Sequence, residues 1–191
     1  IRDNNLSLVA LDGYRLAVRK SEIKDGIDTD ISAIIPGITL NHLNSLLTDD
    51  GEICVGFDSK NIIFKLKDTK IIARLIEGNF TKYDSLLPKD HMTKIKVETR
   101  KLQESIERAS LLFTSPKNNL IKISIMKDMI AITSNNENGN AYEELDVEFE
   151  GNELEIAFNS RYLFGGEVNP AVIKPIDGPE YIYLILPVRF S

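Results

Sequence analysis

Only one cysteine, Cys54, occurs in 191 residues, so no intramolecular disulfide can form. It lies in the strand-like pattern Glu52-Ile53-Cys54-Val55, where a small buried hydrophobe is expected. A single thiol fits a reducing, cytoplasmic location. No apolar run approaches the ~20 residues that a membrane-spanning helix needs, and no membrane partner is expected. The N-terminus shows no secretory pattern. It opens in strand-like sequence without Met, which reads as an internal start. Positive charge is also scarce. A net charge of −6 argues against a surface coated in basic residues, although a local basic strip on an acidic body can still meet DNA.

Catalytic signatures are missing too. His42 and His91 are the only histidines. His42 lies roughly 200° around its helix from Leu40, at about 100° per residue, which turns it to solvent. His91 falls in a polar connection. Neither has a Cys, His or carboxylate at metal-ligand spacing, so no metal or cofactor is expected. No Gly-x-Ser-x-Gly elbow and no phosphate-cradling glycine loop is present. The paired carboxylates Asp49-Asp50 and Glu143-Glu144 read as solvated charge. No catalytic residue is expected.

What is present is β-structure. Leu6–Val18 carries two short alternating runs on either side of Asp12-Gly13, a strong short-range hairpin signal. Ser32–Ile35 reads as a short strand stopped by Pro36-Gly37. Leu40, Leu43 and Leu47 then mark one helix face. Strands are predicted at Glu52–Phe57, Asn61–Lys67 and Lys70–Ile76, with hairpin-length connections. Glu77–His91 is polar and contains Gly78 and Pro88, as a path between domains should.

A second unit starts with a strand at Lys94–Glu98. Leu102, Ile106, Ala109 and Phe113 then share one narrow helix face. Leu111 and Leu112 fall off that face, and Pro116 is expected to end the helix. Strands are predicted at Leu120–Met126, Met129–Thr133, Tyr142–Phe149, Glu153–Phe158, Ala171–Pro175 and Tyr181–Leu186.

The two halves repeat one pattern of strands and a helix. The expected class is α+β, with repeated domains of antiparallel sheet and helices on one face. The domains are placed at 1–92, incomplete at its N-terminus, and 93–191. The second copy is shorter than the first. Its shortfall falls near 164–167, as though a segment of helix and strand were missing there.

Two strings carry a family resemblance. Asp12-Gly13-Tyr14-Arg15-Leu16-Ala17 resembles a hairpin of the bacterial sliding clamp, the β subunit of the replicative DNA polymerase. Tyr183-Leu184-Ile185-Leu186-Pro187-Val188-Arg189-Phe190 is similar to that family's closing strand. The resemblance implies a DNA-clamp fold and covers the second domain in part plus the third. It implies a non-catalytic processivity factor of a DNA-directed DNA polymerase, part of a homodimeric ring around duplex DNA. The ring contacts phosphates without sequence preference and tethers the polymerase and clamp loader through short Gln/Leu/Phe peptides. Tethering works by raising effective concentration at the primer end.

The resemblance also implies site residues. The peptide cleft takes Leu11, Gly13, Tyr14, Arg15 and Leu16 from the hairpin, and Thr81 and Leu86 from the connection. From the last domain it takes Asn159, Tyr162, Val168, Pro170, Leu184, Leu186, Pro187, Val188, Arg189 and Phe190. Thr81 departs from the family, which often has Pro there. Arg100, Lys101 and Arg108 are the DNA-facing candidates. Leu111 and Leu112 resemble one side of the subunit interface, and they should be exposed in a chain that does not close a ring. The opening hairpin should lie beside the closing strand. A stand-alone β-rich peptide-binding module without a DNA role is the first alternative, and a small enzyme using the cleft is the second.

Overall fold

Antiparallel pairing organises the chain. The computed structural model describes residues 1–23, 30–48, 51–113, 119–163, 171–174 and 180–188. By contacts the chain divides into two units. One is Ile1–Asn4 with Lys24–Lys82, and the other is Asn5–Ile23 with Tyr83–Ser191.

In the first unit a helix, α1 (Gly37–Leu46), accompanies a three-stranded sheet. Its strands are β3 (Cys54–Phe57), β4 (Asn61–Lys65) and β5 (Lys70–Arg74), in that order. Leu43, Ile62 and Phe64 form the core, with Leu40, Phe57, Ile71 and Ala73 packed around them. Alternation explains β4: Ile62 and Phe64 point inward, while Ile63 sits opposite Ile72 on the other face. The Asp58 carboxylate closes the β3–β4 turn by accepting from the Lys60 and Asn61 backbone N–H groups at 2.8 and 2.7 Å. Ser32–Ile35 forms no strand. Ile34 only lends its carbonyl to the Ile76 N–H, at 2.9 Å. His42 is exposed, as the helical wheel requires.

Cys54 corrects an expectation: it is exposed. It opens an edge strand, and its side chain lies on the face of β3 opposite to Phe57. Cys54 should therefore react with a maleimide in the native protein about as fast as in urea. Mass spectrometry of timed aliquots checks this. Labelling only after unfolding would place the thiol inside.

The second unit joins an early segment, Asn5–Ile23, to Tyr83–Ser191. β1 (Asn5–Leu11) and β2 (Arg15–Glu22) form the hairpin, with Leu11 opposite Leu16. β2 then pairs with β13 (Tyr181–Ile185), which pairs with β12 (Ala171–Ile173). A second sheet has the order β11 (Leu154–Asn159), β7 (Leu120–Met126), β8 (Met129–Asn136) and β9 (Gly139–Asp146). β6 (Thr93–Lys96) and β10 (Glu148–Gly151) make a two-stranded ribbon. The single strand predicted over 142–149 is thus split. Val147 is buried, and its N–H turns to the Asp128 carbonyl at 3.1 Å, so pairing passes from β8 to β6.

Helix α2 (Thr99–Ser110) covers the second sheet. Ile106 and Ala109 are buried against Ile123, Ile130 and Ile132, with Leu102 and Phe113 at the margin. The four residues picked out by periodicity are those that pack. The helix stops at Ser110, ahead of Pro116, which lies outside the described residues. The Ser134 hydroxyl donates to the Ala109 carbonyl at 2.7 Å and satisfies one orphan acceptor of the last turn. A short α3 (Ser160–Leu163) follows β11. The shortfall near 164–167 also lies outside the described residues.

Candidate functional site

The hairpin and the closing strand meet in one sheet. Leu16 sits directly opposite Leu184, and Val18 opposite Ile182. These residues are 160 and more positions apart in sequence, yet Leu16, Val18 and Leu184 make one apolar cluster with exposures of 0, 1 and 5%. Val9, Leu11 and Ile182 flank it on the sheet. Tyr83 and Leu87, from the 3-10 turn Tyr83–Leu86 and the residue after it, cover it. Tyr83 and Leu87 escaped sequence reading because Glu77–His91 has no periodicity to select an inward face. Leu86, the residue that was expected there, is 45% exposed.

At the hairpin tip, Gly13 takes φ +83°, where a side chain would be strained. Tyr14 is 61% exposed beside it. Asp12 holds the turn: one carboxylate oxygen accepts from the Tyr14 and Arg15 backbone N–H groups at 3.2 and 3.1 Å. Its other oxygen accepts from Arg15 Nε at 2.6 Å. The Arg15 guanidinium lies over the Tyr162 ring, 5.5 Å from its centroid. Burial acts to raise the Asp12 carboxyl, but the Arg15 guanidinium and the two backbone N–H groups outweigh it and hold the group below its ordinary value. The same pair pushes the Arg15 guanidinium up, mainly through its hydrogen bond to Asp12. Burial raises the Tyr183 phenol, and nearby Arg15 opposes that shift.

The remaining cleft candidates divide. Asn159 is half-buried at the end of β11, and its side-chain oxygen accepts from the Arg161 N–H at 3.1 Å. Tyr162 is half-buried under Arg15. Val188 is at the surface, and its N–H donates to the Ala157 carbonyl at 3.0 Å. Pro187 is half-buried. Leu186 packs against the larger core of the second unit, away from Leu16, because strand pairing ends at Ile185. Thr81 is exposed and belongs to the first unit. Val168, Pro170, Arg189 and Phe190 lie outside the described residues.

The basic residues of α2 all have acidic partners. Arg100 pairs with Glu104 at 2.8 Å and Lys101 with Glu98 at 3.2 Å, both on the helix surface. Arg108 reaches across to β9, where Nε and Nη2 grip Glu143 at 3.0 and 2.7 Å. That grip, first of all, lowers the Glu143 carboxyl. Glu144 points the other way and accepts from the Tyr142 hydroxyl at 2.6 Å. The Glu143-Glu144 pair is therefore split between two faces of the strand. Asp49-Asp50 lies outside the described residues. Leu111 is 81% exposed. Leu112 is half-buried, and its carbonyl accepts from the Asn136 and Asn138 amides at 2.7 and 3.3 Å. No helix among the described residues is long and apolar enough to cross a membrane.

Comparison with known proteins follows the same outline. Residues 1–82 match the family model described as DNA polymerase III beta subunit, central domain, and residues 84–168 match that of its C-terminal domain. The Staphylococcus aureus beta sliding clamp is 34% identical over 207 residues, covering 99% of this chain and 55% of the relative. The DNA polymerase sliding clamp of Bacillus subtilis superimposes with a TM-score of 0.93 at 31% identity, covering 100% of this chain and 55% of that one. A sliding clamp from Bartonella birtlesii, solved bound to griselimycin, gives a TM-score of 0.87 at 28% identity, covering 100% and 56%. The chain therefore spans about half the length of the relatives it matches.

Proposed function

As this chain belongs to the bacterial sliding-clamp family, the β subunit of DNA polymerase III, we propose that it serves a DNA replication processivity factor: a non-catalytic tether, acting on cytoplasmic duplex DNA, that docks partner peptides on its hairpin and closing strand. The domains proposed at 1–92 and 93–191 are the second and third of a clamp protomer. The observation that carries the reading is the pairing of Leu16 with Leu184. It joins the two family-like strings into one buried apolar cluster that supports the exposed hairpin tip and the end of the closing strand. Apolar contacts with a few polar groups that set orientation are the character of a peptide site.

The occupant is a short segment of a polymerase or clamp loader, rich in Gln, Leu and Phe. Leu and Phe side chains contribute about 1.5–3 kcal/mol each when fully buried. Two such anchors, less the cost of ordering a flexible peptide, give affinity in the micromolar range. Weak binding suits a tether that hands one partner to another. The ligand carried by the Bartonella birtlesii clamp supports a docking role for this family. Leu86, Asn159, Tyr162, Pro187 and Val188 are the proposed rim.

DNA contact falls to the α2 surface and is loose by design. Arg100, Lys101 and Arg108 each share their charge with an acidic neighbour. Their contribution is a shallow, salt-sensitive attraction to phosphates without base readout. In the whole protein, Leu111 and Leu112 are proposed to meet the neighbouring subunit of a ring, with exposed Leu111 as the apolar anchor.

Calorimetry with a synthetic Gln/Leu/Phe peptide tests the cleft. Arg100→Ala should leave peptide affinity within twofold of the unmodified chain, because Arg100 is exposed on the helix surface and bonds only its helix neighbour Glu104 there. A large loss in that variant would move the site to the helix.

A further inference from the structure

We propose that Asp12 is a positioning residue of this cleft, acting through Arg15; the inference rests on the peptide-docking reading. One carboxylate performs two tasks. Its Oδ1 satisfies the Tyr14 and Arg15 backbone N–H groups, at 3.2 and 3.1 Å, and shapes the turn. Its Oδ2 takes the Arg15 Nε–H at 2.6 Å and sets the direction of the guanidinium. The Asp12 N–H returns a bond to the Arg15 carbonyl at 3.3 Å, which closes the loop.

The far end of Arg15 is held independently. Its guanidinium lies on the Tyr162 ring from α3, 5.5 Å from the centroid. The hairpin turn and α3 thus converge on one cation at the start of β2, the residue before Leu16. A free arginine loses much rotamer entropy when a ligand orders it. Here the loss is taken during folding, so a docking peptide meets a cation already in place. The Oδ2 contact fixes the Nε end of the guanidinium, whereas the Oδ1 contacts serve the turn.

Asp12→Asn separates the two tasks. The amide keeps an oxygen for the two backbone donors, but sets an NH2 against the Arg15 Nε–H, donor against donor. Peptide affinity, read by calorimetry with the synthetic Gln/Leu/Phe peptide, should fall about 5–10-fold in Asp12→Asn. The double variant with Arg15→Ala should bind no more weakly than Arg15→Ala alone, because both changes remove one device. In 15N spectra the Arg15 Nε resonance should move in Asp12→Asn, while the Tyr14 and Arg15 amides hold their positions. A purely structural turn residue would move those amides and show additive losses. Unchanged affinity in Asp12→Asn, or additivity with Arg15→Ala, would overturn the proposal with the cleft intact. If the unmodified chain takes no peptide, the cleft reading falls and this one falls with it.

Discussion

Leu16→Asp is expected to abolish peptide binding. Leu16 has no exposed surface and lies opposite both Leu11 and Leu184 in adjacent strands. A carboxylate there has no partner within the cluster of Val18, Leu184, Val9, Leu11, Tyr83, Leu87 and Ile182. Burying an unpaired charge costs several kcal/mol, so the floor must open or the group must take up a proton. Either response loosens the pairing of hairpin and closing strand that holds the exposed residues Tyr14 and Val188 in place. Leu16→Ala separates loss of shape from loss of fold: it keeps the site apolar but leaves a cavity, and should weaken binding while the circular dichroism spectrum stays native. Calorimetry on the unmodified chain and both variants reads the series. Equal affinity in Leu16→Asp, with the fold retained, would remove the cleft assignment.

The largest loss of stability should come from Ile132→Ala. Ile132 is fully buried on β8, a central strand paired on both sides by β7 and β9. It belongs to the cluster that receives Ile106 and Ala109 of α2. Truncation deletes three carbons and leaves a void that neither sheet nor helix can readily fill. The expected cost is about 2–5 kcal/mol. Urea unfolding should show a lower midpoint with an unchanged slope, since the area exposed on unfolding hardly alters. A cost below about 1 kcal/mol would mean that the sheet and helix do not share one core.

Much of this architecture was legible because its determinants are local. Asp12-Gly13 between alternating runs announces a hairpin, and the spacing of Leu102, Ile106, Ala109 and Phe113 announces a covering helix. Both depend only on near neighbours in sequence. Cys54 was misjudged because a strand pattern does not tell an edge from a centre, and burial depends on strand order. The pairing of Arg108, a DNA-facing candidate, with Glu143 was not legible because the two come from different elements. The break at Val147 depends on two different neighbours, β8 and β6, which no local pattern reveals. In the site, Leu16 and Leu184 could be named from family-like strings. Tyr83, Leu87 and the orienting role of Asp12 needed coordinates, because each is defined by what it touches.

Peptide docking on the hairpin and closing strand is the central claim, and chemical-shift mapping tests it most directly. A 15N-labelled chain would be titrated with the Gln/Leu/Phe peptide into the high micromolar range. Saturable shifts are expected at Leu11, Tyr14, Arg15, Leu86, Tyr162 and Val188, with β3–β5 unmoved. Shifts confined to β3–β5 or to the surface of α2, or none at saturating peptide, would contradict that claim.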